Sequence, residues 1–256
     1  MKDFFKNVLA TVLGMFLFSA ICFGFMMMSI IGMIAASDTE TKLKDNSVLT
    51  INLSGVINEK ASTDYLGFLS GDAVENSGLN DILMAIKKAK NNDEIKGIYI
   101  EAGPLGAGFS TLQEIRNALA DFKKSGKWIV AYGDTYSQGS YYVASVANHI
   151  YLNPEGQVDW HGLASQPYYI KDLAAKFGVK YQVAKVGTFK SATETYTETK
   201  MSDANRLQVS LYLNGLWANV CKAVSESRKI SIPTLNTYAD EYQLFATPQS
   251  LIKKRL

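Results

Sequence analysis

From Val8-Leu9-Ala10 to Ile34-Ala35-Ala36 the chain carries no charged side chain. As a helix rising 1.5 Å per residue this run is about 40 Å long, more than the ~30 Å hydrocarbon core of a bilayer, so it can span with tilt. A cleavable signal peptide has an apolar core of about 7–15 residues, roughly half this length. Ala35-Ala36-Ser37 would serve as a cleavage site, but the length favours an uncleaved anchor. Lys2 and Lys6 precede the run and Asp38 and Glu40 follow it. The positive-inside rule therefore places the amino terminus in the cytoplasm and the bulk of the chain outside. The expected organisation is a stub at 1–7, a transmembrane anchor at 8–36, a polar tether at 37–47 and one folded domain at 48–256.

Within that domain short apolar runs alternate with stretches of helical period. Val48–Leu53, Gly97–Ile100, Trp128–Tyr132 and His149–Leu152 read as strands, with Gln157–Trp160 as a further short segment. Ile82, Ile86 and Ala89 mark one helical face, and Leu112, Ile115, Leu119 and Phe122 a second, which Gly126 ends. Repeated βα units imply a mostly parallel α/β sheet. Beyond it the pattern predicts a helix over 168–177, a strand over 179–186 and a long helix from Asp203 to about Ser227. In that helix Leu207, Leu211, Leu216, Val220 and Val224 form a near-stripe, the mark of a packing helix rather than a binding surface.

The composition excludes several functions. Lys and Arg number 26 against 24 Asp and Glu, with no clustered basic face, so no nucleic-acid partner is expected. Cys22 lies in the apolar run and Cys221 in a predicted helix, which rules out a disulfide within the soluble part. Neither has His or Cys at metal-ligand spacing; no metal and no cofactor is expected. Gly103, Gly106 and Gly108 follow a strand and precede a helix, where backbone N–H groups can cradle an anion, but the Walker lysine and the dinucleotide spacing are missing. A strand-to-helix turn is the simpler reading. A Ser/His/Asp triad could be drawn from Ser137, Asp159 and either His149 or His161, yet nothing in the sequence turns either histidine toward Ser137.

Val186-Gly187-Thr188-Phe189-Lys190-Ser191-Ala192 places a lysine beyond the end of the expected strand and brackets it with small residues. An ordinary lysine has a pKa near 10.4, and lowering it by about 3 units leaves roughly a quarter of the molecules neutral at pH 7. Burial produces shifts of that size. Lys190 is thus a candidate base, with a solvated lysine on a turn as the plainer alternative. Ser191 would either bond to it or cap the turn.

This segment, with Tyr136-Ser137-Gln138-Gly139-Ser140-Tyr141 and Ile150-Tyr151-Leu152-Asn153-Pro154-Glu155-Gly156-Gln157-Val158-Asp159, resembles the long form of the signal peptide peptidase A (protease IV) family. The resemblance implies a ClpP/crotonase-like fold of repeated ββα turns that assembles into homo-oligomeric rings. It also implies a Ser/Lys dyad, with Lys190 in the Gly-Thr-(Tyr/Phe)-Lys-Ser-Ala motif of the amino-terminal domain and the serine in a second domain. The family serine sits in Ala-Ser-Gly-Gly-Tyr, and counting back from Tyr141 puts Gln138 at its place. An amide is no nucleophile, so Ile252-Lys253-Lys254-Arg255-Leu256 is expected to be a break in a longer protein whose second half supplies the serine. The implied substrates are remnant signal peptides and other hydrophobic peptides at the bacterial inner membrane, on its periplasmic side. A non-catalytic anchored scaffold of the same fold is the alternative. An acyl-CoA enzyme fits the fold but not an outward-facing domain.

Overall fold

The structure, a computed structural model, describes residues 1–37, 43–61 and 78–256. Of the tether expected at 37–47, residues 38–42, with Asp38 and Glu40, lie outside the described residues. Two compact units emerge, Met1–Lys44 and Asp45–Leu256.

The first unit is one helix, α1, Lys2–Ser37. Its stretch Lys2–Gly32 reaches a hydropathy of 2.3 with none of it buried, so it is long and apolar enough to cross a membrane.

The second unit is built on a fully parallel sheet in the order β1 (Ser47–Val56), β2 (Ile95–Gly106), β3 (Trp128–Tyr136), β4 (His149–Val158). The helices α2 (Leu79–Asn91), α3 (Phe109–Lys123) and α4 (Gln138–Ala144) lie between successive strands in the chain. The apolar periodicity is what buries them: Ile82, Ile86 and Ala89 from α2 and Leu112, Ile115, Leu119 and Phe122 from α3 all enter the core. Ile98 and Ile100 of β2 are fully covered, as expected of a parallel strand packed on both faces.

The strands bend. The β1–β2 register shifts between Leu53 and Gly55, where Ser54 alone faces Gly103-Pro104 of β2; the β3–β4 register shifts between Gly133 and Thr135, where Asp134 alone faces 153–156 of β4. Proline has no N–H for a ladder bond, and both Pro104 and Pro154 fall in these interruptions. Gly156 is required there, because a Cβ would lie 2.5 Å from the Asp134 carbonyl oxygen. Each interruption divides a strand into two paired stretches, and a helix follows, giving the ββα turn expected of a ClpP/crotonase-like core.

After β4 come α5 (Lys171–Lys176), a 3-10 turn at Ser191–Thr193, α6 (Glu194–Thr197), α7 (Asp203–Arg228), α8 (Ile232–Asp240), a second 3-10 turn at Gln243–Phe245 and α9 (Pro248–Lys254). The helix expected over 168–177 shrinks to α5, and residues 179–186 form no strand. Alternation of apolar residues makes a strand only where a neighbouring strand satisfies the backbone, and here Val179, Tyr181 and Val183 stay exposed. The long helix lies where expected, but its stripe is only half used. Val220, Cys221 and Val224 are buried, whereas Leu207, Leu211 and Tyr212 face solvent.

Arg116 fixes α7 to the sheet layer. Its guanidinium is buried and donates to the Tyr142 carbonyl at 3.2 Å, Ser145 Oγ at 3.4 Å, the Ala223 carbonyl at 2.7 Å and Ser227 Oγ at 2.6 Å, and it lies over the Tyr142 ring. Burial pulls its pKa down from the usual arginine value.

Candidate functional site

The turn from β3 into α4 carries Ser137, Gln138 and Ser140, the residues set against the family's serine motif above. Ser137 is the N-cap of α4: its Oγ accepts from the Ser140 N–H at 3.2 Å and lies 3.1 Å from Ser140 Oγ. Gln138, 7% exposed, donates from Nε2 to the Gly162 carbonyl at 2.9 Å, while its Oε1 accepts from the N–H groups of His161 at 3.1 Å and Gly162 at 2.9 Å. The amide therefore braces the start of α4 against the backbone that leaves β4. Trp160 completes the junction, fully buried, donating from Nε1 to the Leu235 carbonyl at 3.0 Å and contacting the rings of Tyr141 and Trp217. Burial pushes the Tyr141 phenol up to about 12, so it plays no part as an acid or base near neutrality.

Part of the nominated triad does come together. Asp159 Oδ1 and His161 Nδ1 are 2.6 Å apart, but the Ser137 hydroxyl is engaged with Ser140, and His149 stacks on Tyr151 instead. No nucleophile is joined to the His/Asp pair among the described hydrogen bonds. Gly103, Gly106 and Gly108 are absent from the positive-φ residues, so their N–H groups do not curl into an anion nest; β2 runs through to Gly106, and Gly108 in extended conformation caps α3.

Lys190 ends the run 175–190, every residue of which is exposed. Gly187 turns the chain at φ +90°, a conformation that favours glycine, and Lys190 (φ −122°, ψ 66°) then leads into the 3-10 turn. The expectation of a buried lysine is not met within this chain: Lys190 is exposed, beside Val186 at 90% exposure and Phe189 at 53%. Residues 179–186 pair with no strand among the described residues, and a segment that joins no sheet leaves its side chains in water. The Ser191 hydroxyl makes no hydrogen bond to Lys190 among the described residues. Nearby, an open cleft of about 550 Å³ is lined by Lys171, Ala175, Gly178, Val179, Tyr181 and Tyr196, with the two tyrosine rings 4.9 Å apart.

Two residues that sequence reasoning missed hold this region. Glu194 is buried four residues after Lys190 and bonds to the start of α7; it lies two residues beyond the lysine motif, and nothing in the local pattern marked it. Gln138 was read as the loss of a nucleophile, but its hydrogen bonds to residues 161 and 162 could not be seen from spacing. Cys221 is buried and its thiol is pushed up to about 11 by desolvation, in keeping with a small apolar core residue.

Comparison with known proteins adds a family to this geometry. Residues 121–253 match Peptidase family S49. Protease 4 of Salmonella typhi is 40% identical over 80% of this chain and 33% of its own length, and Protease 4 of Haemophilus influenzae is 33% identical over 86% and 37%. Serine protease SPPA, chloroplastic, of Arabidopsis thaliana is 28% identical over 73% of this chain and 26% of its own. The chain thus spans about a third of the length of these two Protease 4 relatives. Since the family match takes in α4, the braced turn at 160–162, the lysine segment and α7, the chain belongs to peptidase family S49, a family of ClpP/crotonase-like serine peptidases.

Proposed function

We propose that this chain is the membrane-anchored, lysine-bearing part of a Ser/Lys endopeptidase. Neutral Lys190 takes the proton from a serine hydroxyl as that oxygen attacks a peptide carbonyl, and returns it to the leaving amine when the C–N bond breaks. The serine comes from a second domain, because Gln138 occupies the serine's place in this one. The observation that carries the reading is the setting of Lys190 in an S49 chain: it follows the turn at Gly187, with exposed Val186 and Phe189 just ahead of it. A partner surface that covers those apolar residues also covers the amine, and desolvation favours its neutral form. The same exposed run, with Val179, Tyr181 and Val183, suits hydrophobic peptides such as signal-peptide remnants. Helix α1 anchors the chain as a single pass in the bacterial inner membrane with the folded unit outside, and copies assemble as a ring.

The test is Lys190→Ala in the assembled peptidase. Turnover should fall by about 10²–10⁴-fold, the usual worth of a general base. Lys190→Arg should be as inactive, because a guanidinium cannot give up its proton in this pH range. Normal turnover by a well-folded Lys190→Ala protein refutes the base role.

One observation favours a second reading, an anchored scaffold without chemistry of its own. Among the described residues Lys190 makes no hydrogen bond to a nucleophile, and the turn from β3 into α4 is closed by the Gln138 brace. That reading becomes the better one if Lys190→Ala changes neither turnover nor assembly.

A further inference from the structure

We infer that Glu194 is the positioning residue of the lysine turn, tying Lys190 through α7 to the core; this rests on the reading of Lys190 as a base. Glu194 is 4% exposed, the one carboxylate among the buried described residues. Its carboxylate accepts from Ser202 Oγ at 2.5 Å, the Ser202 N–H at 3.2 Å and Asn205 Nδ2 at 2.9 Å. Ser202 is at once the N-cap of α7, its Oγ accepting from the Asn205 N–H at 3.2 Å. The carboxylate therefore sits where the amino-terminal end of a 26-residue helix favours negative charge. At its other end α7 is held by buried Val220, Cys221 and Val224 and by Arg116, which bonds to Ala223 and Ser227.

The lysine side of the link is as short. The 3-10 turn at Ser191–Thr193 joins Lys190 directly to Glu194, and Thr197 Oγ1 donates back to the Thr193 carbonyl at 3.2 Å. The Ile170 N–H donates to the Thr195 carbonyl at 2.8 Å, fixing the start of α5 to the same turn. A buried charge is a poor way to gain stability, since an apolar residue of similar volume often serves as well. Three convergent donors on one carboxylate do something else: they fix where the adjoining turn can lie. Desolvation alone would raise the Glu194 pKa, but the bonds from Ser202 and Asn205, helped by the charge of Lys185, outweigh it and hold the carboxyl below its ordinary value. It is ionised, and the clamp intact, throughout the neutral range.

The experiment compares Glu194→Ala, Glu194→Gln, Ser202→Ala and Asn205→Ala with Lys190→Ala, reading peptide hydrolysis by the assembled peptidase and amide hydrogen exchange over 186–198. Glu194→Ala should lower kcat by about 10–100-fold with KM within about twofold, the signature of a misplaced base rather than a lost substrate contact. Exchange over 186–198 should rise about tenfold, while β2 and β3 stay protected. Glu194→Gln, which keeps one acceptor oxygen, should fall between Glu194→Ala and the parent. If Glu194→Ala fails to fold, the two single-donor variants carry the test, each with a smaller loss in the same direction. A kcat within twofold and unchanged exchange in Glu194→Ala, or in both donor variants, overturns the proposal even where Lys190→Ala is dead. Increased exchange with Lys190→Ala fully active keeps the clamp and refutes the base instead.

Discussion

Replacing Gln138 with alanine removes three hydrogen bonds at the junction of α4 with the end of β4. His161 is exposed, so its N–H can recover a bond to water at little cost. Gly162 is buried, and both its N–H and its carbonyl lose their partner. Each buried backbone group left unsatisfied costs about 1–3 kcal/mol, and the small void left by the side chain adds to this, so the expected loss is about 3–5 kcal/mol. Urea unfolding of the intact chain in detergent, followed by tryptophan fluorescence, reads the change directly, since Trp160 reports the same junction. Gln138→Ser should be destabilised to a similar degree, its hydroxyl being too short to reach Gly162, and should gain no peptidase activity. A loss below about 1 kcal/mol would mean that water replaces all three bonds and that the amide is no brace. Activity in Gln138→Ser would refute the reading that the serine must come from a second domain.

Two further outcomes follow from other parts of the chain. Arg116→Lys should cost about 1.5–3 kcal/mol in chemical denaturation, because one ammonium cannot reach both the α4 carbonyl and the α7 acceptors that the guanidinium bridges; a cost near zero would show that α7 is held by Val220, Cys221 and Val224 alone. A reporter fused after Leu256 should be active only on the non-cytoplasmic side if Lys2 and Lys6 hold the amino terminus inside, and cytoplasmic activity would invert the orientation.

The parallel sheet was legible because each strand is a short apolar run and each crossover helix repeats its apolar residues at three and four positions. Even the bends were written locally, in Pro104 and Pro154, though only the register makes their meaning plain. What could not be read is what depends on distant partners. Gln138 meets backbone groups 24 positions on, and Arg116 meets acceptors 107 and 111 positions away, so no window of sequence contains both ends of either contact. The expected strand at 179–186 failed for a related reason. Its alternation is real, but alternation only says that one face is apolar; whether a strand forms depends on an edge to pair with. The burial expected of Lys190 was inferred from that strand and fell with it.

These departures share a cause. Val179, Tyr181 and Val183, then Val186 and Phe189, then Leu207, Leu211 and Tyr212 are exposed within one stretch that begins after α5 and ends in the first half of α7. Lys190 lies in the middle of it. A soluble chain that leaves so much apolar surface in water gains by covering it, at roughly 25 cal/mol for each Å² buried. Whatever covers this stretch supplies the edge that an alternating segment needs and removes water from around the amine. Strand pairing at 179–186 and burial of these apolar side chains would then follow from one association. If Lys190 is the base proposed above, the clamp at Glu194 is what would hold its turn in place, and a neighbouring domain covering this stretch would supply the desolvation that favours a neutral amine.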